Sequence, residues 1–200
     1  MSASHDVAPE DRGRAVVYSF LAKALYAAPK QEDVETAAYF AGDDSELGRS
    51  FKSFVSAFEN ADQSAFGHEY HDLFIGVGRG ELLPFASYYL TGFLNEKPLA
   101  ELRADLDELG FERAMGVSEP EDHIAALCDV MSHLVEGTGA GEFTLYEQER
   151  FFAAHMKPWA GKFFADLQSA KKADLYRSIG RIGEVFMTIE EEGFSMIARA

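Results

Sequence analysis

A cluster of histidines and carboxylates near the middle of the chain has the residue types of a metal site. His68 and His71 lie three residues apart, with Glu69 and Asp72 beside them. Zinc enzymes place two histidines on one helical face with H-E-x-x-H spacing, and the sequence H-E-Y-H lacks that spacing. No second cluster follows with the paired E-x-x-H pattern of di-iron bundles. The sequence therefore predicts no metal site here, and no other residue set predicts a catalytic centre.

Three glycines after this cluster could instead approach a phosphate group. Gly76, Gly78 and Gly80 alternate with other residues, and Arg79 is the cation within the loop. A P-loop follows a strand and ends in Lys-Ser or Lys-Thr, whereas these glycines follow a helical pattern and lack that ending. By itself the pattern predicts a helix end and a turn, because glycine reaches left-handed conformations easily.

Two sequence blocks carry a family resemblance. The first reads H-E-Y-H-D-L-F-I-G-V-G-R-G and continues into P-F-A-S-Y-Y at residues 84–89, and the second reads E-P-E-D-H at residues 119–123. These blocks and their order resemble the TorD/DmsD-type chaperones that mature molybdenum redox enzymes. Residues 1–60 and 140–200 contain no motif that matches individually.

The resemblance implies a function. Chaperones of this type bind the twin-arginine signal peptide of a molybdoenzyme's catalytic subunit, such as a formate dehydrogenase or a dimethyl sulfoxide or trimethylamine N-oxide reductase. We therefore expect a cytoplasmic chaperone, not an enzyme, that holds the leader or the apo subunit for cofactor insertion before export. No cofactor is expected to be required, and a weak guanine nucleotide interaction at Gly76, Gly78, Arg79 and Gly80 is implied by the resemblance alone.

The resemblance also implies the residues of the client-peptide site. They are Tyr70, Leu73, Phe74, Pro84, Ser87, Tyr88, Glu119, Asp122 and His123. A leader with a cationic start and an apolar helical middle is complemented by an apolar groove with a carboxylate edge. Helical spacing places Tyr70, Leu73 and Phe74 on one face. That face suits a hydrophobic core as well as a groove, and both interpretations remain open.

Composition and charge restrict the class of partner and the compartment. The chain has 34 acidic and 18 basic residues, a formal charge of −16, so a phosphate backbone is repelled and nucleic acid is excluded as a partner. The single cysteine, Cys128, excludes an internal disulfide and lies in a buried helical pattern. Residues 1–15 lack a signal-peptide core, and no stretch approaches the ~20 apolar residues of a membrane span. We therefore expect a cytoplasmic protein.

Apolar residues recur at helical spacing along the chain, and strand-like alternation is absent over any useful length. Residues 1–200 are predicted to form a single TorD-like domain, an all-α bundle of roughly nine or ten helices. A long central loop is predicted at 76–86 and a flexible glycine-rich break at 137–141. Ser118 and Glu121 match an S-x-x-E capping box, with Pro120 in the first turn of the helix that follows. Glu119, Asp122 and His123 then fall in that first turn, where acidic groups oppose the positive helix end.

Two alternative functions remain open from the sequence. One is nucleotide hydrolysis, with the glycine loop as phosphate cradle and Asp122 and His123 as reacting groups. The other is a scaffold that docks maturation factors such as molybdenum-cofactor insertion proteins. A magnesium-dependent turnover assay and a pull-down of insertion proteins separate these from leader binding.

Overall fold

The computed structural model describes residues 8–113, 119–137 and 143–197. Over these ranges the chain forms ten α-helices and no β-strand, which confirms the predicted all-α single-domain fold. The helices are α1 Pro9–Tyr26, α2 Gln31–Phe40, α3 Glu46–Asn60, α4 Phe66–Tyr70, α5 Ala86–Thr91, α6 Lys97–Glu108, α7 Ile124–Glu136, α8 Leu145–His155, α9 Ala160–Ser169 and α10 Leu175–Ile197.

The core is built around α7, which packs along α1 on one side and against α8 on another. Apolar side chains cover most of the surface of α7, as expected of a helix inside a bundle. Cys128 is fully buried on this helix, as predicted, and burial raises the pKa of its thiol. The long helix α10 packs on α3 and α9. Helix α10 approaches α9 closely at Gly183, because this residue has no side chain and the Phe164 ring of α9 occupies the space that one would fill.

The central loop begins where α4 runs into one π-helical turn, His71–Ile75. The N–H of Gly76 donates to the His71 carbonyl at 2.7 Å, and Gly76 ends the helix with a φ of 63°. The chain then folds back, because Leu82 N–H donates to the Leu73 carbonyl at 2.9 Å. The predicted sequence of helix, loop and helix is confirmed, with α5 following the loop. The predicted break at 137–141 starts at Gly137, whose φ is 68°, and its remainder lies outside the described residues.

The predicted capping box before α7 is wrong. Helix α7 begins at Ile124 and its N-cap is His123, so Pro120 and Glu121 precede the helix and Ser118 lies outside the described residues. The reason is a long-range backbone pairing. Ile124 N–H donates to the carbonyl of Pro84 at 2.9 Å, and His123 N–H donates to the carbonyl of Pro120 at 3.1 Å. Residues 120–123 therefore form a turn beside the central loop, and α7 starts only after it.

Candidate functional site

The two motif blocks meet in space and form one joint. An antiparallel backbone bridge connects Phe85 with His123. On one side of this bridge Ala86 N–H donates to the Asp122 carbonyl at 3.0 Å. On the other side the Ile124 N–H bond to the Pro84 carbonyl closes the pairing. The two blocks, which are well separated in sequence, therefore act as one structural unit.

Asp122 holds the start of α5 and not the start of its own helix. Its Oδ2 accepts the N–H of Ser87 at 2.8 Å, and the side chain is 1% exposed. The placement of Asp122 in the first turn of α7 is therefore wrong, because its carboxylate caps a different helix. The Ser87 hydroxyl and Asp122 Oδ1 are both buried and have no hydrogen-bond partner. A buried polar group without a partner usually costs about 1–3 kcal/mol of folding stability. The joint therefore contains two unpaired polar atoms beside the start of α5.

His123 is a buried, uncharged histidine. Its Nδ1 accepts the N–H of Ala125 at 3.1 Å, so in the neutral ring the proton is on Nε2. The ring packs against those of Phe85 and Tyr26, with centroids 5.1 and 6.3 Å away. Burial lowers the pKa of His123 to about 4, because the charged form would lose its hydration. The residue therefore serves as a fixed wall of apolar and aromatic character.

The aromatic residues of the first block pack on α10 and reach α1. Tyr70 and Phe74 are half-buried, their ring centroids lie 5.3 Å apart, and both rings contact Tyr176. The Tyr70 hydroxyl donates to the carbonyl of Tyr26 at 2.7 Å. Burial, followed by the negative charge of Glu119, raises the pKa of Tyr70. Leu73, the third member of this predicted face, is fully buried in the core.

Glu69 has a role that sequence reasoning missed. Its carboxylate accepts the N–H groups of Asp174, Leu175 and Tyr176 at 2.7, 3.2 and 2.9 Å. Asp174 directly precedes α10, and Leu175 and Tyr176 open its first turn, where backbone N–H groups have no partner within the helix. Glu69 therefore caps a helix that begins about one hundred residues later in the chain. Nothing in the local sequence indicates this partner.

A second carboxylate of the central loop holds the turn before α10. Glu81 accepts the N–H of Lys171 at 2.7 Å and that of Lys172 at 2.9 Å. The Lys172 ammonium group also lies 3.3 Å from Asp72. Together Glu69 on α4 and Glu81 in the central loop form a carboxylate clamp that fixes both segments to the α9–α10 turn and the start of α10.

Arg79, the cation of the glycine loop, contacts Tyr88 on α5. Arg79 donates to the Tyr88 hydroxyl at 3.1 Å, and its guanidinium carbon lies 5.5 Å from the centre of the Tyr88 ring. The contact is a hydrogen bond combined with a cation–π interaction. Nucleotide binding at Gly76, Gly78, Arg79 and Gly80 stays a prediction.

A pocket of about 880 Å³ opens between α1, α6, α7 and the segments 111–113 and 119–123. It is lined by Ala22, Lys23, Tyr26, Arg103, Leu106, Asp107, Phe111, Glu112, Arg113, Glu119, Pro120, Glu121, His123, Ala125, Ala126, Asp129, Val130 and His133. Apolar and aromatic side chains alternate in this lining with five carboxylates and three cations. The volume falls in the range of ligand sites in proteins.

The predicted site residues divide into three groups. Glu119 and His123 line the pocket. Leu73, Pro84, Ser87 and Asp122 are buried and do not line it, and Tyr70, Phe74 and Tyr88 are partly exposed on the side of the central loop. That these residues contact a client stays a prediction. Sequence reasoning missed the contributions of α1 and α6, which no motif marks, and it assigned Glu121 to a helix cap although the residue lies within E-P-E-D-H.

The described residues offer no alternative centre of metal chemistry. Nowhere in ranges 8–113, 119–137 and 143–197 do three His, Cys, Asp or Glu side chains converge closely enough to hold a metal ion. No described helix combines the length and the apolar character needed to cross a membrane.

Comparisons with known proteins agree with the motif blocks. The family model described as nitrate reductase delta subunit matches residues 40–165. The chaperone protein TorD of Vibrio cholerae is 26% identical over 194 residues, which cover 87% of this chain and 88% of that protein. TorD of Photobacterium profundum is 30% identical over 140 residues, which cover 61% of this chain and 63% of that protein. These matches confirm the resemblance to TorD-type chaperones.

A solved structure supports the fold. A protein from Archaeoglobus fulgidus, described as a redox enzyme maturation protein, superposes with a TM-score of 0.59. The alignment covers 94% of this chain and 99% of that protein at 18% sequence identity. At this low sequence identity, the comparison shows only that the two proteins share a fold.

Proposed function

Since this chain belongs to the nitrate reductase delta subunit family, we propose that it is a maturation chaperone for a molybdoenzyme. The single observation that carries the proposal is the match of most of the chain to relatives named as TorD chaperones, with both motif blocks in place. The archaeal protein of similar fold is itself described as a redox enzyme maturation protein. The client is the catalytic subunit of the molybdoenzyme, held in the cytoplasm before export.

The binding step that we propose is capture of the twin-arginine signal peptide in the pocket between α1, α6 and α7. One wall of this pocket runs along α7 from Ala125 to His133. The eight residue-to-residue intervals between these two positions span about 12 Å at ~1.5 Å per residue, the length of about two helical turns. The pocket therefore suits the apolar face of a short helical segment, the usual helix-in-groove arrangement.

Apolar contact supplies most of the affinity in this proposal. Leu106, Phe111 and Val130 offer apolar surface inside the pocket. Burying one large apolar side chain of the leader contributes about 1.5–3 kcal/mol, whereas an exposed ion pair contributes about 0–1 kcal/mol. The carboxylates therefore orient the cationic end of the leader and speed its association.

The motif residues have two roles under this proposal. Glu119 and His123 touch the leader directly, because they line the pocket. Asp122 and Ser87 are positioning residues, since they fix α5 against the segment that carries His123. Tyr88, Phe74 and Tyr70 are proposed client contacts on the side of the central loop, for the leader or for the adjoining part of the apo subunit.

Calorimetric titration with a synthetic twin-arginine signal peptide tests the proposal. Ala126→Leu adds three carbons to a half-buried wall position of the pocket and should weaken binding at least about tenfold through lost space. Ala38→Leu, on the exposed side of α2, is the matched control and should bind as the unmodified protein does. Absence of binding to the unmodified protein, or equal affinity in both variants, contradicts a leader site in this pocket.

The enzymatic alternative has less support. Asp122 and His123 both use their side chains to hold helix termini, at Ser87 and Ala125. Arg79 is bonded to Tyr88 on α5. We therefore propose a binding protein without hydrolytic activity and without a required cofactor. Magnesium-dependent nucleotide turnover that is lost in His123→Asn would contradict this, and capture of cofactor-insertion proteins without peptide binding would favour a scaffold.

A further inference from the structure

Glu121 stands between two guanidinium groups on the wall of the pocket. Arg103 reaches it from α6, with Nε and Nη2 at 3.0 and 2.8 Å from Oε2. Arg113 approaches from the other side, with Nη1 at 3.7 Å from Oε1 and Nη2 donating to the Glu119 carbonyl at 2.8 Å. The chain thus places a pair of its own arginines around one carboxylate.

The charge balance of the pocket makes this arrangement unusual. Among the described lining residues the carboxylates outnumber the cations, five to three, and Glu121 is engaged by two of those cations. A basic peptide entering the pocket would find Asp107, Glu112 and Asp129 in the lining, whereas Glu121 is already engaged. Glu121 is also less exposed than the arginines, at 18% against 51% for Arg103 and 41% for Arg113. A partly desolvated carboxylate forms stronger bonds with a guanidinium than an exposed one does.

We propose that Glu121 is the acceptor for a guanidinium of the client, and that Arg103 and Arg113 act as internal competitors that occupy it in the empty protein. The inference rests on the proposed function, because a leader with two neighbouring arginines supplies the guanidinium groups that replace the internal pair. Glu121 then determines specificity for arginine, and the two internal arginines lower the affinity for peptides that lack a complete apolar segment.

The exchange is physically accessible. Arg103 and Arg113 are roughly half-exposed, so each can swing into water without unfolding the helices that carry them. Ion pairs whose guanidinium group is half-exposed contribute little to folding stability, and exchanging the internal guanidinium for that of the client therefore leaves the fold intact. A client arginine has the advantage of being delivered by an apolar segment bound beside Glu121, which raises its effective concentration at the carboxylate.

Arginine is favoured over lysine at this position for a geometric reason. Arg103 contacts one oxygen of Glu121 through two of its nitrogens, which uses the planar fork of the guanidinium. An ammonium group is a compact point charge that cannot reproduce a two-nitrogen contact. Leaders in which lysines replace both arginines should therefore lose the interaction with Glu121 while they keep the apolar contacts.

Titrations of single variants test the competition. The probe is a synthetic twin-arginine leader, compared with the same peptide carrying two lysines. Arg103→Gln should bind the arginine peptide about threefold to tenfold tighter, since one competitor is gone. Arg150→Gln is the matched control, because Arg150 pairs with Glu108 at 3.0 Å between α8 and α6, outside the pocket lining, and its loss changes the net charge equally. Glu121→Gln should bind the arginine peptide about tenfold weaker and should no longer distinguish it from the lysine peptide.

Each outcome bears on one proposal in particular. If Arg103→Gln binds the arginine peptide no tighter than Arg150→Gln does, the competition is overturned although leader binding stands. The same holds if Glu121→Gln still prefers the arginine peptide over the lysine peptide. Absence of binding in every variant overturns the proposed function and this inference with it. Thermal melts confirm that the variants are folded.

Discussion

Individual carboxylates in this protein stabilise helices to which they do not belong. Glu69 caps α10, and Asp122 caps α5. The sequence identified both residues as members of motif blocks, but it could not identify these roles, because a side chain's distant backbone partners follow from the folded topology. His123 was expected in the first turn of α7, whereas it is the buried N-cap that precedes this helix. The pocket-lining Arg103 carries no local signal.

Glu69→Gln tests the cap at the residue scale. The substitution removes the negative charge that accepts three N–H groups at the start of α10, so the free energy of unfolding should fall by about 1–3 kcal/mol. Urea denaturation measures it. Glu59→Gln, at an exposed position near the end of α3, is the control and should change stability by less than about 0.5 kcal/mol. Equal effects in the two variants would show that Glu69 does not secure α10.

The pKa of His123 predicts a specific pH dependence. Folding lowers this pKa from 6.5 to about 4, so between those values the unfolded chain binds a proton that the folded protein does not. The contribution of His123 to stability is therefore complete above pH 6.5 and is lost as the pH falls towards 4. The loss amounts to about 3 kcal/mol.

His123→Asn isolates this contribution, because asparagine is also a good N-cap residue and does not titrate. Urea denaturation of both proteins at several pH values between 4 and 7 provides the comparison. The stability of the unmodified protein should fall more steeply towards acid than that of the variant. Parallel curves would mean that His123 titrates normally in the folded state.

Whole elements were more predictable than single contacts. Helical periodicity predicted an all-α bundle of roughly nine or ten helices, and the described residues form ten α-helices. The start of α7 was misplaced because a local S-x-x-E pattern competed with a backbone pairing to the central loop. The π-helical turn before Gly76 had no sequence signal, since it arises where the helix meets the returning loop.

Gly80→Ala tests the tight return of the central loop. A Cβ at this position would lie 2.6 Å from the Leu73 carbonyl oxygen and 2.5 Å from the Phe74 carbonyl carbon, and backbone atoms cannot move aside easily. We expect a loss of about 1–3 kcal/mol in unfolding free energy. Gly67→Ala in α4 has open space around the added atom and should instead stabilise by about 0.5–1 kcal/mol. A neutral Gly80→Ala would mean that the loop does not pack on the helix end as described.

At the scale of the whole molecule, the charge of −16 should act on association over long distances. Steering of a cationic leader depends on the Debye length, which shortens from ~30 Å at 0.01 M salt to ~8 Å at 0.15 M. Stopped-flow measurements should therefore show an association rate that falls as salt rises, with a smaller change in the dissociation rate. A salt-independent association rate would assign the acidity to solubility alone.

Family, helical class and the two motif blocks were accessible from sequence because they depend on local patterns. The pocket was not, because α1, α6 and α7 contribute to it from three separate parts of the chain. Its charged wall combines residues that are individually ordinary, and only their arrangement in space gives them a shared role.

The most direct test of leader binding in this pocket is photo-crosslinking. A twin-arginine signal peptide carries a photoreactive residue in its apolar segment, and mass spectrometry locates the crosslinked residues of the chaperone. We expect crosslinks in the lining of α1, α6 and α7, around Ala22–Tyr26, Arg103–Asp107 and Ala125–His133. Crosslinks confined to the central loop and α5, with none in those three segments, would contradict it.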